Sequence, residues 1–343
     1  VLMSLSVLPV LNLSAPADAQ TGSTVGYVKY TLILYNNTLL PGNVVTHSNV
    51  FFPEGIAYDP QNGYIYVTDF WSDLVSVINP STNEVVATIP VGPGPTGIIY
   101  DPQNGYIYVT DTDWYFVSVI NPSNNTVIAN IPVGFDPDGI IYDPQNGYIY
   151  VANWYSGSIS VINPTTNRVI ANISVGSNPV GIAYDPQNGY IYVTNISSNL
   201  VSVINPSNNT VIANIPVGLN PDGIIYDPQN GYIYVANFLS HTVSVINPSN
   251  NTVIATIPVG FGPGIIYDPQ NGYIYVTDWY CDFVSVINPS NNTVIANISV
   301  GSYPWGIAYD PQNGYLYVTD WGSNLVSVIN PSNNTVIANI PVG

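Results

Sequence analysis

The seven-residue word Tyr-Asp-Pro-Gln-Asn-Gly-Tyr, first met at Tyr58, returns at Tyr100, Tyr142, Tyr184, Tyr226, Tyr267 and Tyr309, in steps of 42, 42, 42, 42, 41 and 42 residues. A fixed period of this size marks an array or ring of supersecondary units, each unable to bury its own faces alone. By length alone, 343 residues could make two domains, but a closed ring of repeats forms one unit.

The second copy, residues 97–134, holds four short runs rich in Val, Ile and Tyr, separated by turn clusters and without helical spacing. These predict four antiparallel strands, A to D in chain order. In the repeated word, Pro presets the first turn corner, Asp accepts from the turn's own amides, and Asn-Gly supplies the left-handed return into strand B. A second fixed word, Ile-Asn-Pro-Ser-Asn-Asn-Thr at residues 120–126, does the same between C and D. The Asp residues of the repeated word therefore read as turn caps. Strand D carries proline in five copies (Pro90, Pro132, Pro216, Pro258 and Pro341), which places it at the outer edge, where a missing ladder donor is tolerated. Strand A, opening on small residues, would line the crowded centre. The expected fold is an all-β, seven-bladed β-propeller of four-stranded antiparallel blades, with a short N-terminal strand segment.

The end of strand B spells Tyr-Val-Thr-Asn at Tyr192, Tyr-Val-Thr-Asp at Tyr66, Tyr108, Tyr275 and Tyr317, and Tyr-Val-Ala-Asn at Tyr150 and Tyr234. With the preceding Gly-Ile-Ala-Tyr-Asp-Pro pattern, residues 53–343 resemble the YVTN family of β-propeller repeat proteins. The resemblance implies a secreted or cell-surface scaffold or interaction platform, of the kind found in archaeal surface layers, and carries over no catalytic residue.

Upstream of the ring, residues 1–20 are apolar, interrupted by Pro9 and Asn12, and end in Ala17-Asp18-Ala19 before Gln20. This reads as the h- and c-regions of a truncated signal peptide, too short and broken to span a bilayer. Residues 21–52 form an N-terminal extension with one or two strands. There, 44–50 competes with 336–342 for the outer position of the last blade, either clasping the ring shut or adding an edge strand.

The basic residues are Lys29 and Arg168, and the net charge is −18, which makes nucleic acid and anionic lipid poor partners. Cys281 has no partner for a disulfide within the chain and no evident activating base, and reads as incidental. N-x-S/T sequences occur at Asn36, Asn124, Asn172, Asn195, Asn208, Asn250, Asn291, Asn297 and Asn333; of these, Asn124, Asn208, Asn250, Asn291 and Asn333 on the C–D turns are the candidate glycan sites. A surface this poor in ion pairs also suits an acidic exterior, where little stability would be lost on protonation.

In a four-stranded meander the A–B and C–D turns share one end and the B–C and D–A loops the other. The fixed words occupy the first end, and the second varies from copy to copy. It collects all six tryptophans and eleven of the twenty carboxylates: Glu54, Asp69, Asp73, Asp111, Asp113, Asp136, Asp138, Asp222, Asp278, Asp282 and Asp320. Variable loops on a rigid frame are where binding concentrates. The candidate binding residues are Trp71, Trp114, Tyr115, Trp154, Tyr155, Phe238, Trp279, Tyr280, Trp305 and Trp321, with Asp69, Asp111, Asp113, Asp278 and Asp320. Such a surface suits a glycan, a protein or a neighbouring subunit, with a non-catalytic role. Calcium is a further candidate ligand for the oxygen-rich loops, although no DxDxDG-like run is present. The alternative is a hydrolase or other enzyme with a carboxylate-based site at this end. His47 and His241 lie too far apart in the sequence to read as a metal pair.

Overall fold

The turn words set the topology. The computed structural model describes residues 52–343; the readings for residues 1–20, and for 21–52 apart from Phe52, lie outside the described residues. In the first turn Asp59 Oδ1 accepts from the Gln61 amide at 2.8 Å, the Gly63 amide donates to Asp59 O at 2.9 Å, and Gly63 takes φ 77°. In the C–D turn Asn79 Oδ1 accepts from the Ser81 amide at 2.9 Å and Asn83 supplies the left-handed residue at φ 57°. The same bonds close both hairpins around the molecule.

These hairpins produce seven four-stranded sheets, each antiparallel in the order A–B–C–D. Blade 1 comprises Pro53–Tyr58, Ile65–Asp69, Leu74–Asn79 and Glu84–Pro90; blade 7 comprises Pro304–Asp310, Tyr315–Asp320, Leu325–Asn330 and Thr335–Pro341. The described residues form a seven-bladed β-propeller with almost no helix, the exception being a single 3-10 turn at Trp279–Cys281. The C-terminal strand Thr335–Pro341 holds the outer position of blade 7, and its expected competitor, 44–50, lies outside the described residues.

Burial follows strand position. Ile65–Asp69 is buried along its whole length, as a strand covered on both faces should be, whereas Glu84–Pro90 alternates between exposed and covered as a half-solvated edge does. The buried layer lies between blades. Tyr66, Val75, Val77 and Ile89 of blade 1 pack on Ile98, Ile107, Val109 and Ile120 of blade 2. The seam between blades 7 and 1 uses the same residue types: Tyr317, Val326, Val328 and Ile340 against Ile65, Val67 and Ile78. The ring is closed by the same packing that builds its other interfaces. The tyrosine two residues before the strand-B Thr or Ala is fully buried in every blade, and its hydroxyl is satisfied by the turn asparagine four residues earlier, as in Asn62 Nδ2 to Tyr66 Oη at 2.8 Å.

At the axis the blades touch through backbone. Thr68 Oγ1 accepts from the Gly55 amide at 2.8 Å and donates to Thr96 O of the next blade at 2.7 Å; Thr110, Thr194, Thr277 and Thr319 repeat the second bond on Asp138, Asp222, Trp305 and Glu54. The glycine beside each bond has no room for a side chain: a Cβ on Gly139 would run into the carbonyl oxygen of Val180. Gly139→Ala should therefore lower stability by roughly 1–3 kcal/mol, the usual range for overpacking. Reversible urea denaturation of the full chain measures this, and an unchanged midpoint would contradict the packing.

Candidate functional site

The variable end is built from paired loops. Each D–A loop accepts a backbone bond from a B–C loop, as in Trp154 N to Asp136 O at 2.7 Å, Trp279 N to Phe261 O at 2.9 Å and Trp321 N to Tyr303 O at 3.0 Å. A left-handed residue stands in each B–C loop and in every D–A loop except the shortened sixth. Asn178 and Asn220 fill this position in two D–A loops, but Phe52 (φ 53°) and Tyr303 (φ 56°) fill it in two others, and Tyr115 (φ 61°) takes the corresponding B–C position. Bulky aromatics in that region store about 1–3 kcal/mol of strain each.

Phe52 and Tyr303 belong to a continuous aromatic chain over one side of the ring. Phe52 stacks on Trp321 at 3.9 Å and lies 5.8 Å from Trp71. Trp321 continues to Trp279 at 5.4 Å, and Trp279 to Trp305 at 4.7 Å, Phe238 at 5.8 Å and Tyr280 at 6.0 Å. Tyr303 packs edge-on to Trp279 at 5.9 Å. Among the described residues the opposite side carries only the pairs Tyr115–Phe135 and Trp154–Tyr155. Exposure is concentrated in Trp114 (62%), Tyr155 (73%), Phe135 (56%) and Tyr280 (52%), while Trp71, Trp154, Trp279, Trp305 and Trp321 are half-buried. Phe238, expected on the surface, is a buried support beneath Trp279, because it packs against Phe261 as well. Phe52, Phe135, Phe261 and Tyr303 belong to the surface although single-position reading did not select them. Their signal was an aromatic residue in the loop just before strand A.

Four of the five candidate carboxylates also lie beneath the surface. Asp69, Asp111, Asp278 and Asp320 are at most 1% exposed, because they end strand B under the loops; Asp113 alone of the five is exposed. Ser76, Ser118 and Ser327 donate to Asp69, Asp111 and Asp320 at 2.6–2.7 Å. Asp278 accepts from the Phe261 amide at 2.8 Å. The same position is Asn153, Asn195 and Asn237 in the other blades, where Nδ2 donates to the equivalent serine and to a strand-C carbonyl. Burial pushes Asp69, Asp111 and Asp320 up to about 7.

A further group surrounds the axis. Between the Pro and Gly that open strand A stand Glu54, Thr96, Asp138, Val180, Asp222 and Trp305, with Pro263 at this position in the shortened sixth copy. Glu54, Thr96, Val180 and Asp222 are buried. These carboxylates stand at the expected end, in a column that no local sequence pattern marks.

At the other end Asn124, Asn208, Asn250, Asn291 and Asn333 are all exposed, as expected of candidate glycan sites, whereas Asn195 is buried and unsuited to modification. Cys281 is exposed, and partial desolvation with Asp278 beside it pushes its thiol up, away from thiolate reactivity. His241 lies against Phe261 at 3.7 Å. Among the described residues, no three His, Cys, Asp or Glu side chains converge as a metal ion requires, and no helix is long and apolar enough to cross a membrane.

The raised carboxyls fix a pH dependence. Below about pH 4 they are protonated in folded and unfolded chains alike, and their contribution is complete. Between about 4 and 7 the unfolded chain ionises while the folded sites keep their protons, so stability falls as pH rises through this range. The melting temperature should therefore be higher near pH 4 than near pH 8. Replacing Asp69, Asp111 and Asp320 together by Asn should raise stability near pH 8 and flatten the profile; thermal melts across this range check both.

Known proteins can be set beside this geometry. A model of the SMP-30/gluconolactonase/LRE-like region matches residues 92–197, and an NHL repeat model matches residues 302–329. Among curated proteins no sequence matches the chain. Hydrazine synthase of Kuenenia stuttgartiensis is similar in structure at 20% identity and TM-score 0.76, over 86% of this chain and 99% of that one. Virginiamycin B lyase of Staphylococcus aureus is similar at 16% identity and TM-score 0.69, over 80% and 93%; its catalytically inactive form with quinupristin gives 16% and 0.68, over 78% and 91%. At such identities the likeness is one of fold. Repeats and blades show that the chain is a β-propeller repeat protein, parts of which are similar to the SMP-30/gluconolactonase/LRE-like and NHL repeat families.

Proposed function

We propose that this protein is a non-catalytic, extracellular recognition module or scaffold of the YVTN, surface-layer type, which holds a glycan, a protein or a neighbouring subunit through its variable end. The observation that carries the reading is the strained aromatic chain. Other copies place Asn, which tolerates the left-handed region, where Phe52 and Tyr303 stand, so the fold itself has no need of rings there. Strain retained in that way concentrates at binding sites. Exposed Tyr280 and Tyr303, with half-buried Trp279 and Trp321 behind them, offer flat faces for sugar rings or for the apolar centre of an interface. The exposed asparagines at the opposite end suit a secreted, glycosylated chain whose crown stays clear for contact.

The enzyme alternative draws on the lyase and synthase among the structural neighbours and on the raised carboxyls at this end. The partnered carboxyls under the loops have a structural role that asparagine fills in other blades, which favours the non-catalytic reading.

Tyr303→Asn separates fold from function. Relief of the left-handed strain, about 1–3 kcal/mol, offsets the loss of aromatic contacts worth about 0.5–1.5 kcal/mol per pair. The variant should therefore melt close to the wild type. Its binding on a glycan array, or its self-association in sedimentation velocity, should fall about tenfold, the loss expected of a hot-spot side chain. Wild-type binding that survives Tyr303→Asn and Tyr280→Ala together would overturn the proposal.

A further inference from the structure

Asp222, in the group around the axis, differs from the carboxylates described above in what it lacks. The turn aspartates accept from backbone amides, and those ending strand B accept from serines or from the Phe261 amide. Asp222 is only 8% exposed, yet no donor among the described residues reaches its carboxyl. Among the described residues its electrostatic neighbours are Asp138 and Glu54, both of like charge. These three come from blades 5, 3 and 1, which are not neighbours in the ring, so the field that couples their carboxyls acts across the axis. Their backbones are fixed, since Thr194, Thr110 and Thr319 of the preceding blades hold the carbonyls of Asp222, Asp138 and Glu54 at 2.7–2.9 Å. A buried carboxyl without a donor, on a rigid frame, beside two more acids, is a receptor for positive charge that no described residue supplies.

The rest of the column narrows the class of cation. Trp305 supplies an indole, Val180 and Pro263 supply apolar wall, and Thr96 adds a hydroxyl already bonded to Thr110 and Thr112 at 2.9–3.0 Å. A bare metal ion needs several oxygens within about 2.6 Å of one point, a convergence not met among the described residues. An ammonium on an aliphatic stem has different requirements: one or two carboxylates for the charge, an aromatic face beside it, and apolar wall along the stem. The chain's own basic side chain on the ring, Arg168, opens an outer D strand, so the occupant is not Arg168.

We propose that the channel mouth on the variable end binds a primary alkylammonium group, held by Asp222 and Asp138, flanked by Glu54 and packed against Trp305. The proposal rests on the reading of this end as the recognition surface and names the chemistry of its centre. The ammonium belongs either to a lysine side chain of a partner or to a free amine. Burial, with Asp138 and Glu54 opposite, pushes the Asp222 carboxyl up to about 8. Binding near pH 7 must then ionise Asp222 and release a proton, a signature that a loose surface ion pair would not give.

Isothermal titration calorimetry of the full chain at about pH 7 with cadaverine and with Nα-acetyl-lysine amide tests this, in two buffers of different ionisation enthalpy. The expected result is saturable binding of at least one probe, with a buffer-dependent heat that reports proton release. Asp222→Asn and Asp138→Asn should each weaken it about tenfold or more, as loss of a buried charge partner does, while both melt at or above the wild-type temperature. Asn208→Gln, at the far end, should leave it unchanged. Preference for the lysine amide assigns the site to a partner's lysine, and preference for cadaverine assigns it to a free amine. No binding of either probe, binding indifferent to both aspartate variants, or calcium binding lost in the same variants while neither amine binds would overturn the proposal. If amine binding fails while Tyr303→Asn still abolishes partner binding, the recognition surface stands and only its centre is wrong.

Discussion

Seven backbones meet around one axis, and the molecule depends on how closely they can approach. Gly55, Gly97, Gly139, Gly181, Gly223, Gly264 and Gly306 each face a carbonyl oxygen of the next blade, at a separation where any Cβ would collide. Only glycine permits that approach. Once the inner strands are seated, strands B and C fall into register against the neighbouring blade, and the Tyr, Val and Ile layers close between them. The strand-B threonine then fixes the join in five blades. Where alanine replaces it in blade 5, a direct bond from Gly223 N to Pro263 O at 2.9 Å does the work instead.

The architecture was legible because its determinants are local. Proline, Asn-Gly and alternating runs state the turn type and strand length within one repeat, and repetition supplies the blade number. Prolines such as Pro90 and Pro132 marked the outer strand because a missing donor has meaning only in relation to a ladder. Conservation of Gln in the turn word, unexplained by hairpin chemistry, has its reason between blades: Gln61 lies over Gly105 of the next turn, and Gln312 over Gly63 across the seam.

The site was legible by region but not by depth. An aspartate ending strand B reads as a loop residue, and only the bond from a serine two residues beyond its partner on strand C shows that the position is buried. The interchange of Asp and Asn at that position was visible in the repeats and would have indicated a neutral role. The axial column was harder to read. Glu54, Asp138 and Asp222 lie 84 residues apart in successive pairs, and nothing local signals that their side chains face one another. Phe52 and Tyr303 illustrate the opposite case, in which a residue that violates a local backbone rule is the best pointer to function.

The turn word has a chemical consequence as well. Asn-Gly is the sequence at which a flexible chain ages fastest: the glycine amide attacks the asparagine side chain, ammonia leaves, and an imide forms. Here each of the seven glycine amides is already donated, as Gly63 N is to Asp59 O at 2.9 Å. The side-chain nitrogen of Asn62 is tied to Tyr66 Oη and its oxygen to the Tyr64 amide, both at 2.8 Å. The nucleophile is occupied and the leaving group is tethered. The hairpins that shape the ring thereby shield its most perishable bonds.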